Sequence, residues 1–145
     1  MEPWIYLDAP APLTDLAPWD GNLGTFTHYV GYSVLGHVIL TAPETGEMGI
    51  LYPLQEGGFK SYGVQESLDA FRSAVLDDED YRDYAMPPRR LEEVAAVAGP
   101  LDPGQVYYPV PYPFLGGSGD SSTYQRGDVG VFLSIVGQFL GLQSR

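Results

Sequence analysis

No cysteine occurs in the 145 residues. This removes disulfides, thiolate nucleophiles, thiolate zinc sites and cysteine-held iron–sulfur clusters. Basic residues are scarce: 7 Lys and Arg, of which Lys60 is the one lysine, stand against 19 Asp and Glu, for a formal charge of −12. A phosphate-backbone binder works through clustered cations that release counterions, so nucleic acid is not an expected partner. Anionic lipid is disfavoured for the same reason, and no membrane partner is expected. Long apolar runs are missing too. The most apolar stretch, residues 129–142, carries Gly and Gln and falls short of the roughly 18 apolar residues of a spanning helix. The N-terminus opens with Glu2 and breaks at Asp8 and Pro10, whereas a secretory signal needs a basic start and an unbroken apolar core. The expected location is cytoplasmic.

What is present sorts into sheet first and helix afterwards. Residues 1–24 hold Pro3, Pro10, Pro12 and Pro18 among Trp4, Ile5, Tyr6, Leu7, Leu13, Leu16 and Trp19. Proline fixes φ and removes an amide donor, so the expectation is an irregular arm pinned by its tryptophans, with one helical turn near 14–17. From Phe26 to Ser33 apolar and polar residues alternate with the period of a strand. The run from Leu35 to Thr41 is rich in aliphatic and β-branched residues, and Ala42-Pro43-Glu44-Thr45-Gly46-Glu47 reads as a hairpin turn. Met48 to Leu54 is the returning strand, and Phe59 to Tyr62 adds a short one. Three helices are predicted, over about 65–76, 88–98 and 128–140, from their apolar spacing and from Pro88, Gly99-Pro100, Asp128 and Gly141 as start and stop signals. Leu101 to Arg126, with Pro109, Pro111 and Pro113, reads as extended chain poorly suited to a central strand. The fold class is α+β: an antiparallel meander of about 4–5 strands, then about three helices packed on the sheet, in one domain over 1–145.

Residues with chemistry are few. His28 and His37, if both lie on strands, would be neighbours across a hairpin and candidates for a metal or an acid/base pair. No HExxH frame surrounds them, and ordinary sheet histidines are the simpler reading. Asp77, Asp78, Glu79, Asp80 and Asp83 form the densest acidic run. They lack the spaced oxygens and mid-loop Gly of a calcium loop. Placed at the end of the 65–76 helix they would oppose its dipole, which hints at use as a patch for a basic partner. Gly116 to Ser122 lacks the Lys-Ser/Thr of a P-loop and the frame of a nucleophile elbow. Tyr107, Tyr108, Tyr112 and Phe114 form an aromatic cluster without the basic groove of a single-strand binder. They line a core or, where exposed, suit a protein interface. No catalytic triad, cofactor motif or metal frame emerges, and the expectation is a protein that is not an enzyme and holds neither metal nor cofactor.

From about Gly31 onward the chain resembles a known pattern. Tyr32-Ser33-Val34-Leu35-Gly36-His37 precedes a hairpin. Ser67 and Phe71 follow in a helix ahead of Leu76-Asp77-Asp78. The stretch from Gly99 to Gly117 reads Gly-Pro-Leu-Asp-Pro-Gly-Gln-Val-Tyr-Tyr-Pro-Val-Pro-Tyr-Pro-Phe-Leu-Gly-Gly, and an apolar helix containing Gln138 closes the chain. This is similar to the C-terminal domain family of type VI secretion immunity proteins, and broadly to the SUKH immunity superfamily. The resemblance implies an antitoxin that binds and occludes a cognate secreted toxin, with no catalytic residues to carry over. A toxin acting on nucleic acid or nucleotides has a basic active-site cleft, onto which a −12 inhibitor would be steered. The residues expected to face the partner are Asp77, Asp78, Glu79, Asp80, Asp83, Tyr108, Tyr112 and Asp120. The rival readings are a scaffold or regulatory module of the same fold, and a small-ligand binder or hydrolase built on the two histidines.

Overall fold

The computed structural model describes residues 2–56 and 58–145. Five strands form one antiparallel meander in chain order: β1 (Trp4–Pro12), β2 (His28–Ser33), β3 (Val38–Ala42), β4 (Glu47–Tyr52) and β5 (Gly58–Val64). Helices follow as α1 (Leu68–Phe71), which runs on into a π turn over Arg72–Leu76, then α2 (Glu79–Ala85) and α3 (Pro88–Ala98). A second, two-stranded ribbon pairs β6 (Gln105–Pro109) with β7 (Tyr124–Asp128), and α4 (Val129–Phe139) comes last. The class is α+β, as the order of strand and helix signals implies.

The central strand explains the packing. All of β3 is buried, so its sequence VILTA runs apolar without alternation, as a strand covered on both faces does. Its side chains still divide by the period of two. Val38, Leu40 and Ala42 join Leu13, Leu16, Trp19, Leu23, Phe26, Phe132, Leu133 and Val136 on one face. Ile39 joins Ile50, Tyr52, Phe71, Leu76, Met86, Leu91 and Val94 on the other. The sheet is therefore covered by α4 and the 13–26 segment on one side and by α1–α3 on the other.

Two features depart from the sequence reading. Residues 4–12 are not an irregular arm but the edge strand β1, pairing with β2 through Trp4–Ser33 to Tyr6–Gly31, then through Ala11–Tyr29 and Pro12–His28. The register slips between Tyr6 and Ala11. A proline-bearing strand is tolerated there because an edge needs hydrogen bonds on one side only. The helical turn foreseen beside it exists as a 3-10 turn over Leu13–Leu16. Second, the helix predicted over 65–76 ends at Leu76 and a further helix, α2, begins at Glu79. The proline-rich stretch is extended as its sequence implies, and β6 pairs only within the β6–β7 ribbon, where each strand has a single neighbour.

Two close approaches fix the layers. Trp19 is buried and its Nε1 donates to the Leu133 carbonyl of α4 at 2.8 Å. A Cβ on Gly137 would stand 2.8 Å from Pro18 Cγ, so glycine lets the 13–26 segment lie against that helix. The β2–β3 turn is held by Ser33, whose Oγ accepts from the amides of Leu35 and His37 at 3.1 Å each. Gly36 takes φ +83° in that turn, a left-handed conformation glycine adopts without strain. The turn delivers His37 to the sheet's end.

Candidate functional site

The acidic run is solvent-facing but differently built than its sequence suggests. Asp77, Asp78, Glu79, Asp80 and Asp83 are all exposed. Asp77 closes the π turn, while Asp78 caps α2 by accepting from the Tyr81 amide at 3.1 Å, with Glu79 and Asp80 in that helix's first turn. Carboxylates at a helix N-terminus are favoured by its dipole, so the expected opposition is replaced by a capping role. Asp78 to Asp80 have a structural reason to be acidic. Tyr84, on the same helix, is 70% exposed. Behind this surface the hydroxyls of Tyr52, Tyr62 and Tyr81 meet, at 3.0 Å and 2.9 Å from that of Tyr52. Burial pushes all three phenols well above their ordinary range.

The other expected interface residues lie elsewhere. Tyr112 is buried, packed edge-on to Phe132 at 6.0 Å, and Tyr108 stacks on Phe132 at 5.1 Å. Both belong to the α4 side of the sheet, opposite the acidic run. Tyr112 is thus a core residue rather than a contact surface, since the same apolar ring that suits an interface also suits the layer beneath α4. Asp120 is exposed and starts a 3-10 turn over Ser121–Thr123, its carbonyl accepting from Thr123 Oγ1 at 2.7 Å. On α4, Val131, Ile135 and Phe139 face solvent while Phe132, Leu133 and Val136 are buried, so the broad apolar face read from the sequence splits in two.

The two histidines are not neighbours. His28 pairs with Thr41 at one end of the β2–β3 pair, and His37 precedes Val38 at the other. Four residues of strand separate those levels, about 13 Å. His28 Nδ1 lies 2.7 Å from Thr27 Oγ1. Among the described residues no three His, Asp or Glu side chains gather as a metal cage, and no helix is long and apolar enough to cross a membrane.

A concavity of about 940 Å³ was not foreseen. It lies between α3, the edge of β1–β2 and the 100–105 loop. Ile5, Val34, Ala95, Leu101 and Tyr107 supply apolar walls, and Glu2, Glu92 and Asp102 stand around it with no Lys or Arg among the lining residues. Tyr6, on β1, is reached by charges from both the acidic run and the groove rim. The Tyr6 hydroxyl is pushed up first by burial, is lowered by the Arg72 guanidinium over its ring at 4.2 Å, and is raised again by the charges of both Asp77 and Glu2. Sequence reasoning missed the groove because Glu2 lies far from Glu92 and Asp102 in the chain, and the three share no motif.

A smaller hollow of about 310 Å³ sits on the other side of Tyr107. Tyr107 is buried, its hydroxyl donates to the Gly99 carbonyl at 2.6 Å, and it lines both concavities. Here the polar groups are His37, Arg90 and Tyr124.

The fold is similar to the crystal structure of Atu4351 from Agrobacterium tumefaciens, with a TM-score of 0.66 at 18% identity. The match covers 93% of this chain and 66% of that one, so this chain spans under two thirds of that protein's length. At that identity the likeness concerns the fold alone. No protein-family model matches the chain, and no match was found among curated proteins.

Proposed function

We propose that the chain is a non-enzymatic immunity protein that binds and occludes a cognate toxin, taking a basic, partly apolar segment of it in the 940 Å³ groove. The observation that carries this reading is the pairing of an apolar floor with three carboxylates, while the nearby Arg126 is turned onto the Pro100 carbonyl and no Lys or Arg is among the lining residues. Apolar walls supply contact area, and a rim of one sign selects a partner of the other. The exposed carboxylates of 77–80 and 83 add to the negative charge of the surface, which favours fast encounter with a cationic cleft. The resemblance to immunity proteins supplies the class of partner: a type VI effector acting in the cytoplasm on nucleic acid or nucleotides. The rival reading, a scaffold of the same fold, requires a partner that is not a toxin.

The test uses the tagged full chain and a triple variant, Glu2→Gln, Glu92→Gln and Asp102→Asn, in pull-downs from native lysate. The wild-type chain is expected to retain one stoichiometric partner whose toxic activity it blocks. The triple variant is expected to lose that partner while staying folded. A partner without toxic activity turns the reading to the scaffold. Equal capture by the triple variant removes the groove from it.

A further inference from the structure

We infer that the hollow between His37, Arg90 and Tyr124 is a binding site for a small monocarboxylate with an apolar body, independent of the protein-binding groove. The first ground is an unanswered positive charge. Arg90 is half-buried, and among the described residues the one ion pair joins Arg89 to Glu93 at 3.8 Å. Arg90 donates to the Gly119 carbonyl, and its NH2 group lies 3.5 Å from the Tyr124 hydroxyl, with the guanidinium over that ring at 5.3 Å. These contacts hold the group in place without neutralising it. A guanidinium carries five N–H donors, so donors remain for a carboxylate.

The second ground is an unpartnered ring. His37 lines the same hollow, and its Nδ1 is buried with no hydrogen-bond partner. Nδ1 is shut off from solvent, with the ring packed against Trp4 and Tyr52, so the ring has no protein partner at Nδ1 and meets the hollow through another edge. Burial holds the His37 imidazole at a pKa of about 4, so it is neutral at physiological pH and offers one donor and one acceptor. The third ground is α3. It starts at Pro88 after Pro87, a lining residue, with no side-chain cap and no acid in its first turn. That leaves the positive end of the helix dipole unopposed beside the hollow.

Charge and shape choose the ligand. No Asp or Glu lines the hollow. One guanidinium and one neutral imidazole match a single negative charge. A phosphate dianion would keep an unmatched charge inside a protein of net charge −12. Leu35, Leu54, Ala85, Pro87 and Pro109 form the remaining walls and suit an apolar body. The volume of about 310 Å³ lies at the small end of ligand pockets.

Benzoate, inorganic phosphate and chloride at matched ionic strength are the probes, titrated into the full chain while the imidazole signals of His37 and His28 are followed by NMR. Benzoate is expected to move His37 saturably and to leave His28 still. Arg90→Gln is expected to weaken benzoate by about tenfold or more, the loss of one charge-assisted contact. Arg89→Gln, whose partner is the exposed Glu93, is expected to bind as wild type. A motionless His37, an equal response to chloride, tighter binding of phosphate than of benzoate, or unchanged affinity in Arg90→Gln each overturns the site. The wild-type titration decides the matter even if Arg90→Gln fails to fold.

Discussion

The two concavities flanking Tyr107 are opposite in character although one helix serves both. Among their lining residues the groove has three carboxylates and no Lys or Arg, whereas the hollow has one guanidinium and no carboxylate. Glu92 faces the first and Arg90 the second, two residues apart on α3. Two residues turn an α-helix by about 200°, so adjacent opposite charges in sequence are delivered to opposite sides of the helix. The lesson is that a net charge of −12 says little about a particular site. The local sign is set by which side chains a helix turns toward it. The wall between the sites is a single buried tyrosine, pinned through its hydroxyl to the loop that follows α3.

The most direct way to break the contrast is to remove that wall. Tyr107→Ala is expected to cost about 3–5 kcal/mol, as large-to-small changes of buried aromatics do, and to merge the two concavities. Urea unfolding with an unchanged m-value is the check.

Acid is the next largest perturbation, because it charges the hollow. The His37 pKa is held near 4 in the folded chain, against about 6.5 for an unperturbed histidine. Between those values the unfolded chain binds more protons than the folded one. Stability therefore rises with pH across this window and is lost as pH falls from about 6.5 toward 4. One edge of the ring meets the hollow, so the loss is on the order of 2–3 kcal/mol. In His37→Gln that share of the pH dependence should vanish. If the slope of stability against pH is the same in the variant, the histidine is not buried neutral.

A smaller change sharpens the role of the wall. Tyr107→Phe keeps the ring and leaves the Gly99 carbonyl without its 2.6 Å donor, at an expected cost of about 1–2 kcal/mol. Thermal unfolding in the presence and absence of benzoate would show whether the hollow survives the loss of that hydrogen bond.

The smallest effect on stability is expected at the groove. Glu92 and Asp102 are exposed and form no ion pair among the described residues. Glu92→Gln with Asp102→Asn should change unfolding free energy by less than about 0.5 kcal/mol. The same pair should flatten the salt dependence of partner association. A large stability loss would make these carboxylates structural.

The sheet was legible where side-chain period and turn residues agreed. The β3–β4 hairpin follows Ala42 to Glu47, where Gly46 takes φ +81° and donates to the Ala42 carbonyl at 2.9 Å. The start of α4 was legible in Asp128, which accepts from the Val131 amide at 2.9 Å. β1 was hidden because proline content weighs against a strand until the chain is known to lie at an edge, where one set of amides has no partner to lose. α2 was hidden because Asp78 reads equally as the end of one helix or the cap of the next. Among the site residues, His37 stood out in sequence, but beside the wrong neighbour. It shares a hollow with Arg90, far along the chain, rather than a strand level with His28.

By itself the sequence determined the order of sheet and helix, the absence of thiol chemistry and the negative charge, since each depends only on composition, short-range period or a local cap. The tertiary structure decided which tyrosines are core, which side of α3 carries which charge, and that His37 and Arg90 line one hollow. Those are consequences of packing between segments far apart in the chain, and no local spacing encodes them.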